Sequence, residues 1–198
     1  GPGQIDGKDV PTYRVEPNVD PKSIAETFVA VKFFINNWRW QGVPFYLRTG
    51  KRMAAEVSEI SINFRPAPHQ PFPTTALAGW QPNRLAIRIQ PQEGIDLRFN
   101  IKQPGMTAAI TQVKMDFCQN CDPAAASPAA YEKLLFDAWS GDLNLFTHWD
   151  EIEAAWTLID SLQRFRGQLP VLIYPAGSSG PAAADLLLSR DGRRWLDL

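Results

Sequence analysis

Cysteine, histidine and net charge are what this 198-residue chain has least of. Its two cysteines, Cys118 and Cys121, fall in one short stretch, which excludes a disulfide framework and leads us to expect a reducing, cytoplasmic setting. Its two histidines, His69 in a proline-rich loop and His148 ahead of a helix, are separate and lack an evident orienting partner. A general base needs such a partner and a positioned substrate, so neither is read as catalytic. The formal charge is −1, and a process driven by counterion release from a basic surface is thereby disfavoured; no nucleic-acid partner is expected. No apolar run approaches the length that spans a bilayer, so no membrane partner is expected either. The start, Gly1-Pro2-Gly3-Gln4-Ile5-Asp6, has no charged segment leading into an apolar one and does not read as a signal peptide. It also lacks a Met, so the chain is expected to be cut from something longer or to carry a short remnant. A glycine-rich phosphate loop between strand and helix is missing as well.

Apolar content of 44% and charged content of 21% are those of a folded globular protein. The length suits a single domain over residues 1–198. Residues 1–23 are rich in Gly, Pro and Asp and read as an extended arm. Thr27 to Ile35 is dense in β-branched and aromatic residues and predicts a strand buried on both faces. A helix is the alternative, because Ser23 and Glu26 fit a capping box, but such residues are poor helix formers. Phe45 to Arg48 reads as a short strand after the Gly42-Val43-Pro44 break. Ile60, Ile62 and Phe64 alternate with Glu59, Ser61 and Asn63, the period of a half-exposed strand. Pro66, Pro68, Pro71, Pro73 and Pro82 predict a long irregular loop. Strands over 85–90 and 95–102, joined by Pro91-Gln92-Glu93-Gly94, predict an antiparallel hairpin. Val113, Met115 and Phe117 suggest one more strand.

The period then changes. Tyr131, Leu134, Leu135 and Ala138 follow Pro128 at helical spacing. Ile152, Ala155, Trp156 and Ile159 follow Asp150, a candidate N-cap. Pro181 opens a third helix over 182–188. Strands followed by helices predict an α+β fold, a large and mainly antiparallel sheet with helices packed on one face. Trp38, Trp40 and Trp156 read as core aromatics.

Two local motifs carry chemistry. Arg48-Thr49-Gly50-Lys51-Arg52 places three cations within five residues around a glycine. A lysine there can hydrogen-bond sugar hydroxyls or pair with a phosphate; the plain alternative is a solvated basic turn. Cys118-Gln119-Asn120-Cys121 is a Cys-x-x-Cys. Zinc needs four ligands and no second pair exists, so no metal is expected. Unlinked loop thiols and a redox switch both stand.

The turn belongs to a longer run, Trp38-Arg39-Trp40-Gln41-Gly42-Val43-Pro44-Phe45-Tyr46-Leu47-Arg48-Thr49-Gly50-Lys51. Further blocks are Asn83 to Ile95, Lys102-Gln103-Pro104-Gly105, Tyr131 to Ala138 with Gly141-Asp142, and Tyr174-Pro175-Ala176-Gly177-Ser178-Ser179-Gly180-Pro181. In this order they closely resemble the carboxy-terminal domain of glucose-6-phosphate dehydrogenase. The resemblance implies an enzyme that oxidises glucose 6-phosphate to 6-phosphogluconolactone with NADP in the pentose phosphate pathway. It also implies a homodimer formed through the sheet. In that family the Rossmann domain and the catalytic histidine lie upstream of this segment. No catalytic or cofactor-binding residue is therefore assigned here, NADP is expected to bind mainly elsewhere, and the chain alone is expected to be inactive. Lys51 matches a lysine that reaches the sugar-phosphate pocket, and Gln90 a glutamine that in some members contacts the sugar. The cation usual five positions after that lysine is here Glu56. A weakened substrate site, a loop in which Arg52 substitutes, and a local offset of the match all account for it. Arg48 and Arg88 match residues that in some members hold a second NADP; Asp96 stands where those use an aromatic, so that site is not carried over. The competing class is a non-catalytic assembly or binding module derived from the domain.

Overall fold

The computed structural model describes residues 1–66, 68–69, 80–105, 109–119, 130–165, 167–168 and 170–196. The chain divides into two units, one made of residues 1–55 and 147–198 and the other of 56–146. Most of the expected proline loop, Pro128 and Cys121 lie outside the described residues.

The first unit begins with β1 (Gly3–Ile5) and β2 (Lys8–Val10), an antiparallel pair, followed by a 3-10 turn over Tyr13–Val15. Residues 1–23 are thus partly a hairpin and not a plain arm. The cause is local: Asp6 and Gly7 both take positive φ, 49° and 73°, which reverses the chain tightly. β3 (Phe28–Phe34) and β4 (Pro44–Gly50) then pair antiparallel, with Phe28 opposite Gly50 and Phe34 opposite Pro44. The strand expected over Thr27 to Ile35 is present, but its burial is partial: Val29, Phe34 and Ile35 are exposed. A two-stranded ribbon has too little neighbouring sheet to cover both faces.

One face of this ribbon is covered by the carboxy-terminal stretch. α3 (Ala183–Ser189) buries Ala184 and Leu188 and packs on β3. Beyond it, Asp191 accepts from Lys32 Nζ at 2.6 Å and from the Tyr46 hydroxyl, while Trp195 Nε1 donates to Ala184 O at 3.0 Å. The Trp195 ring lies edge-on to Tyr46 and beneath the Arg48 guanidinium at 4.8 Å. Gly180, at φ 106°, meets the Phe28 ring so closely that a Cβ would lie 2.4 Å from it, so only glycine fits.

The second unit is a four-stranded antiparallel sheet ordered β5 (Ser58–Asn63), β6 (Arg84–Gln90), β7 (Gly94–Lys102), β8 (Ile110–Cys118). The β6–β7 hairpin forms as its alternation predicts, with Ile87 opposite Ile95. The register puts Ile60, Ile62, Leu85, Ile87, Ile95, Leu97, Met115 and Phe117 on one face. That apolar face is the open one. Met115 is 61% and Phe117 59% exposed, and Ile60, Ile62, Ile89 and Ile95 are exposed too. Buried residues fall on the other, polar face, where Ala86 and Asp96 are covered.

α1 (Ala130–Ser140) belongs to the second unit and α2 (Trp149–Gln163) to the first. The α+β class and the antiparallel pairing hold. The N-cap of α2 is His148, without a side-chain cap bond, while Asp150 lies inside the first turn, where a carboxylate complements the helix dipole. The expected core tryptophans are not buried: Trp38 is 94% and Trp156 59% exposed, and Trp40 is partly open. Trp38 lies on a turn pinned by Trp40 N–H donating to Asn37 Oδ1 at 2.9 Å, and Trp40 reaches only the edge of Phe45. Trp156 is on α2, which packs on no strand of its unit among the described residues.

The Lys32 ammonium, and then the Tyr46 hydroxyl, hold the Asp191 carboxyl below the usual carboxylate range. A carboxyl depressed on folding contributes stability above its unfolded pKa, and that contribution is lost as pH falls through the folded value. Asp191→Asn should therefore lower the melting temperature at neutral pH, with the gap to the parent closing below roughly pH 4. A gap that persists undiminished in acid, in thermal melts across pH, would refute this linkage.

Candidate functional site

The Lys51 turn is fixed by its backbone. Lys51 N–H donates to Thr27 O at 2.8 Å, and Lys51 O accepts from the Tyr174 hydroxyl at 2.7 Å. Next to it, Gly177 N–H donates to Arg52 O at 2.8 Å and Ala54 N–H to Ser178 O at 3.0 Å. The 174–178 loop thus holds the turn from one side and Thr27, just before β3, holds it from the other. Gly50 does not supply the left-handed residue of the turn; Arg52 does, at φ 51°. A non-glycine residue there costs roughly 1–2 kcal/mol, which the surrounding bonds offset. Gly50 is needed for space, since a Cβ would lie 2.8 Å from Phe28 and 2.9 Å from the Met53 sulfur.

Two cations of the turn are spoken for. Arg48 donates to Leu196 O at 3.2 Å while stacked on Trp195, and Arg52 pairs with Glu16 at 3.2 Å. Arg52 is therefore not free to replace the missing cation. Lys51 is exposed, and among the described residues its ammonium has no ion pair or hydrogen bond. It lines a recess of about 310 Å³ together with Tyr13, Glu16, Thr27, Arg52 and Tyr174. A free ammonium on a locked backbone at a recess is a site for an anionic or hydroxylated ligand. Glu56, in the other unit, is exposed.

Gln90 ends β6 in the second unit and is exposed. It shares its face with the polar residues of the sheet. There the register sets Arg84, Arg98 and Lys114 side by side across three strands, an unfavourable row of like charges. The adjacent row answers it. Asp96 accepts from Lys114 at 2.9 Å and from Arg98 at 3.4 Å, and Asp116 accepts from Lys114 and, at 2.5 Å, from Arg88. Hydrogen bonds from Lys114 and then Arg88 hold the Asp116 carboxyl below its ordinary range, and the same carboxylates hold Lys114 above its own. Arg48 and Arg88, the two residues matched to a second NADP, are thus both engaged by the protein itself, and Asp96 puts a carboxylate on the face. These residues do not fit a second dinucleotide.

His69 is exposed, and His148 lies 3.9 Å from the exposed Asp150, too far for a hydrogen bond. Cys118 is disulfide-bonded, and Cys121 is the one other cysteine in the chain. Among the described residues no group of His, Cys, Asp and Glu could hold a metal ion. Sequence reasoning missed Tyr174 and Glu16 as partners of the Lys51 turn. Tyr174 lies 123 residues from Lys51, and no local pattern links the two.

The chain was compared with known proteins. The family model described as the glucose-6-phosphate dehydrogenase C-terminal domain matches residues 1–196. Glucose-6-phosphate 1-dehydrogenase of Bacillus subtilis is 43% identical over 99% of this chain and 40% of its own length. That of Mycolicibacterium smegmatis is 46% identical over 98% of this chain and 39% of its own length. The crystal structure of the Mycobacterium avium enzyme superposes with a TM-score of 0.78 at 31% identity, covering all of this chain and 40% of that one. A solved glucose-6-phosphate dehydrogenase in complex with its substrate glucose-6-phosphate gives a TM-score of 0.82 at 33% identity, covering 98% and 40%. The chain therefore spans about two fifths of the length of these relatives. On the family match, the relatives and the shared fold together, it belongs to the glucose-6-phosphate dehydrogenases, as the carboxy-terminal domain of one.

Proposed function

We propose that this domain supplies one wall of the glucose 6-phosphate site of an NADP-dependent dehydrogenase and joins two subunits through its four-stranded sheet. The carrying observation is the unpaired Lys51 ammonium at the recess, on a backbone that its neighbours immobilise. A related structure holds glucose-6-phosphate as its substrate, which supports the choice of ligand. Lys51 is proposed to pair with the sugar phosphate or donate to a hydroxyl, and Gln90 to contact the sugar. In the whole dehydrogenase, NADP, held mainly by a region outside this chain, would supply the acceptor for the hydride of sugar C1, and a base outside this chain would take the C1 hydroxyl proton as the lactone forms. We place the enzyme in the pentose phosphate pathway and in the cytoplasm.

Dimerisation is argued from the open apolar face of the sheet. Ile60, Ile95, Met115 and Phe117 form a continuous surface that a second copy can cover. One observation favours the non-catalytic alternative. Glu56 is a carboxylate where a second cation is usual, and a carboxylate repels phosphate.

In the dehydrogenase carrying this domain, Lys51→Ala should raise KM for glucose 6-phosphate about 10- to 100-fold, the worth of a hydrogen bond to a charged group. An unchanged KM in steady-state assays would remove Lys51 from the site and favour the non-catalytic module. The chain by itself should form no NADPH from glucose 6-phosphate and NADP; a measurable rate at 340 nm would show that it holds the whole active site. Light scattering at micromolar concentration should find a dimer, and Met115→Lys, which sets an ammonium on the apolar face, should yield the monomer. A parent that is already monomeric would sink the interface.

A further inference from the structure

We propose that Tyr174 is a positioning residue for Lys51, setting affinity for the sugar phosphate without touching it. The inference rests on the reading of Lys51 given above. Tyr174 is 7% exposed, and its ring packs against Phe28 at 5.5 Å. Its hydroxyl oxygen lies 2.7 Å from Lys51 O, to which it donates, and 3.0 Å from Thr27 O, and the Thr27 hydroxyl, 3.2 Å away, can donate back to it. The phenol thereby ties the carbonyl of Lys51 to Thr27, the residue just before β3, whose O already accepts the Lys51 N–H. Both ends of the lysine's backbone are thus referred to one residue, Thr27.

The geometry of the next residue makes this bond matter. Lys51 O belongs to the peptide plane shared with Arg52, and Arg52 is left-handed at φ 51°. An L-residue relaxes out of that conformation when nothing holds it. Release of Lys51 O lets the plane rotate, which swings the lysine side chain away from the recess. The bonds from Gly177 and Ala54 hold the turn further along, after Arg52, and leave this plane to Tyr174. Loss of the hydroxyl is therefore expected to act on Lys51 and on little else.

The test uses the dehydrogenase carrying this domain, with Tyr174→Phe, Lys51→Ala and the double variant. Tyr174→Phe should raise KM for glucose 6-phosphate by roughly three- to tenfold. kcat and KM for NADP should stay within about twofold of the parent. In the Lys51→Ala background the same change should add nothing, because residues that act through one another are not additive. Additive effects, or an equal loss in KM for NADP, would mean that Tyr174 serves only general packing and would overturn the proposal. If Lys51→Ala itself leaves KM unchanged, the reading of Lys51 fails and this inference goes with it. If Lys51→Ala raises KM and Tyr174→Phe does not, only the inference fails. Should Tyr174→Phe not fold, 4-aminophenylalanine and 4-methylphenylalanine at position 174 give the same comparison, since both fill the space and only the first donates. Higher affinity with the amine than with the methyl supports the bond, and equal affinity refutes it.

Discussion

The contact between the 51–54 turn and the 174–178 loop is the constraint on which the first unit depends. Its parts are modest, a few hydrogen bonds worth about 0.5–1.5 kcal/mol each. They close a very long loop, yet loop-closure entropy grows only logarithmically with length, so bonds of this size suffice once ring packing adds to them. Phe28 packs tilted against Tyr174, Gly180 lies against Phe28, and Gly50 lies against both Phe28 and Met53. One aromatic ring on β3 thus meets two glycines and a tyrosine from two stretches far apart in sequence. Each of those glycines is a place where a side chain would push the turn and the loop apart.

The second unit solves a different problem. Its register lines up three cations, and two acidic residues on the neighbouring row pair with two of them, Arg98 and Lys114. Exposed ion pairs contribute little to stability, but a ladder of them fixes register, because a one-residue slip would carry every charge to the apolar face. The sheet departs from the usual amphipathic pattern: Asp96 on its polar face is buried, while the isoleucines of its other face are open. The dimer proposed above would cover that open face with a second copy of it.

Strands and hairpin turns were legible because period-2 alternation is a local signal. Ile87 against Arg88, or Phe99 against Asn100, declares a strand whatever surrounds it. The hairpin at Asp6-Gly7 was passed over because its strands are too short to show a period. Burial was the least legible property. Trp38 and Trp156 look like core residues by type, but covering them is a matter of which element lies opposite, and periodicity carries no such information. For the site the division is similar. Lys51 could be singled out from its turn and its resemblance to a family motif. That Arg52 belongs to Glu16 and Arg48 to Trp195 is set by contacts between distant segments. Asp96 was noticed as a departure from the family pattern, and its role as the acceptor for Lys114 and Arg98 emerged only from the strand register.

The discontinuity of the first unit bears on how the protein is made. Residues 56–146 form a contiguous unit whose strand pairs are mostly close in sequence, so it can fold as soon as it leaves the ribosome. The Lys51 turn cannot, because Tyr174 and the loop after it are synthesised more than a hundred residues later. Throughout elongation β3 and β4 therefore wait with their aromatic face uncovered. Lys51 is thus translated well before the residues that set its backbone in place.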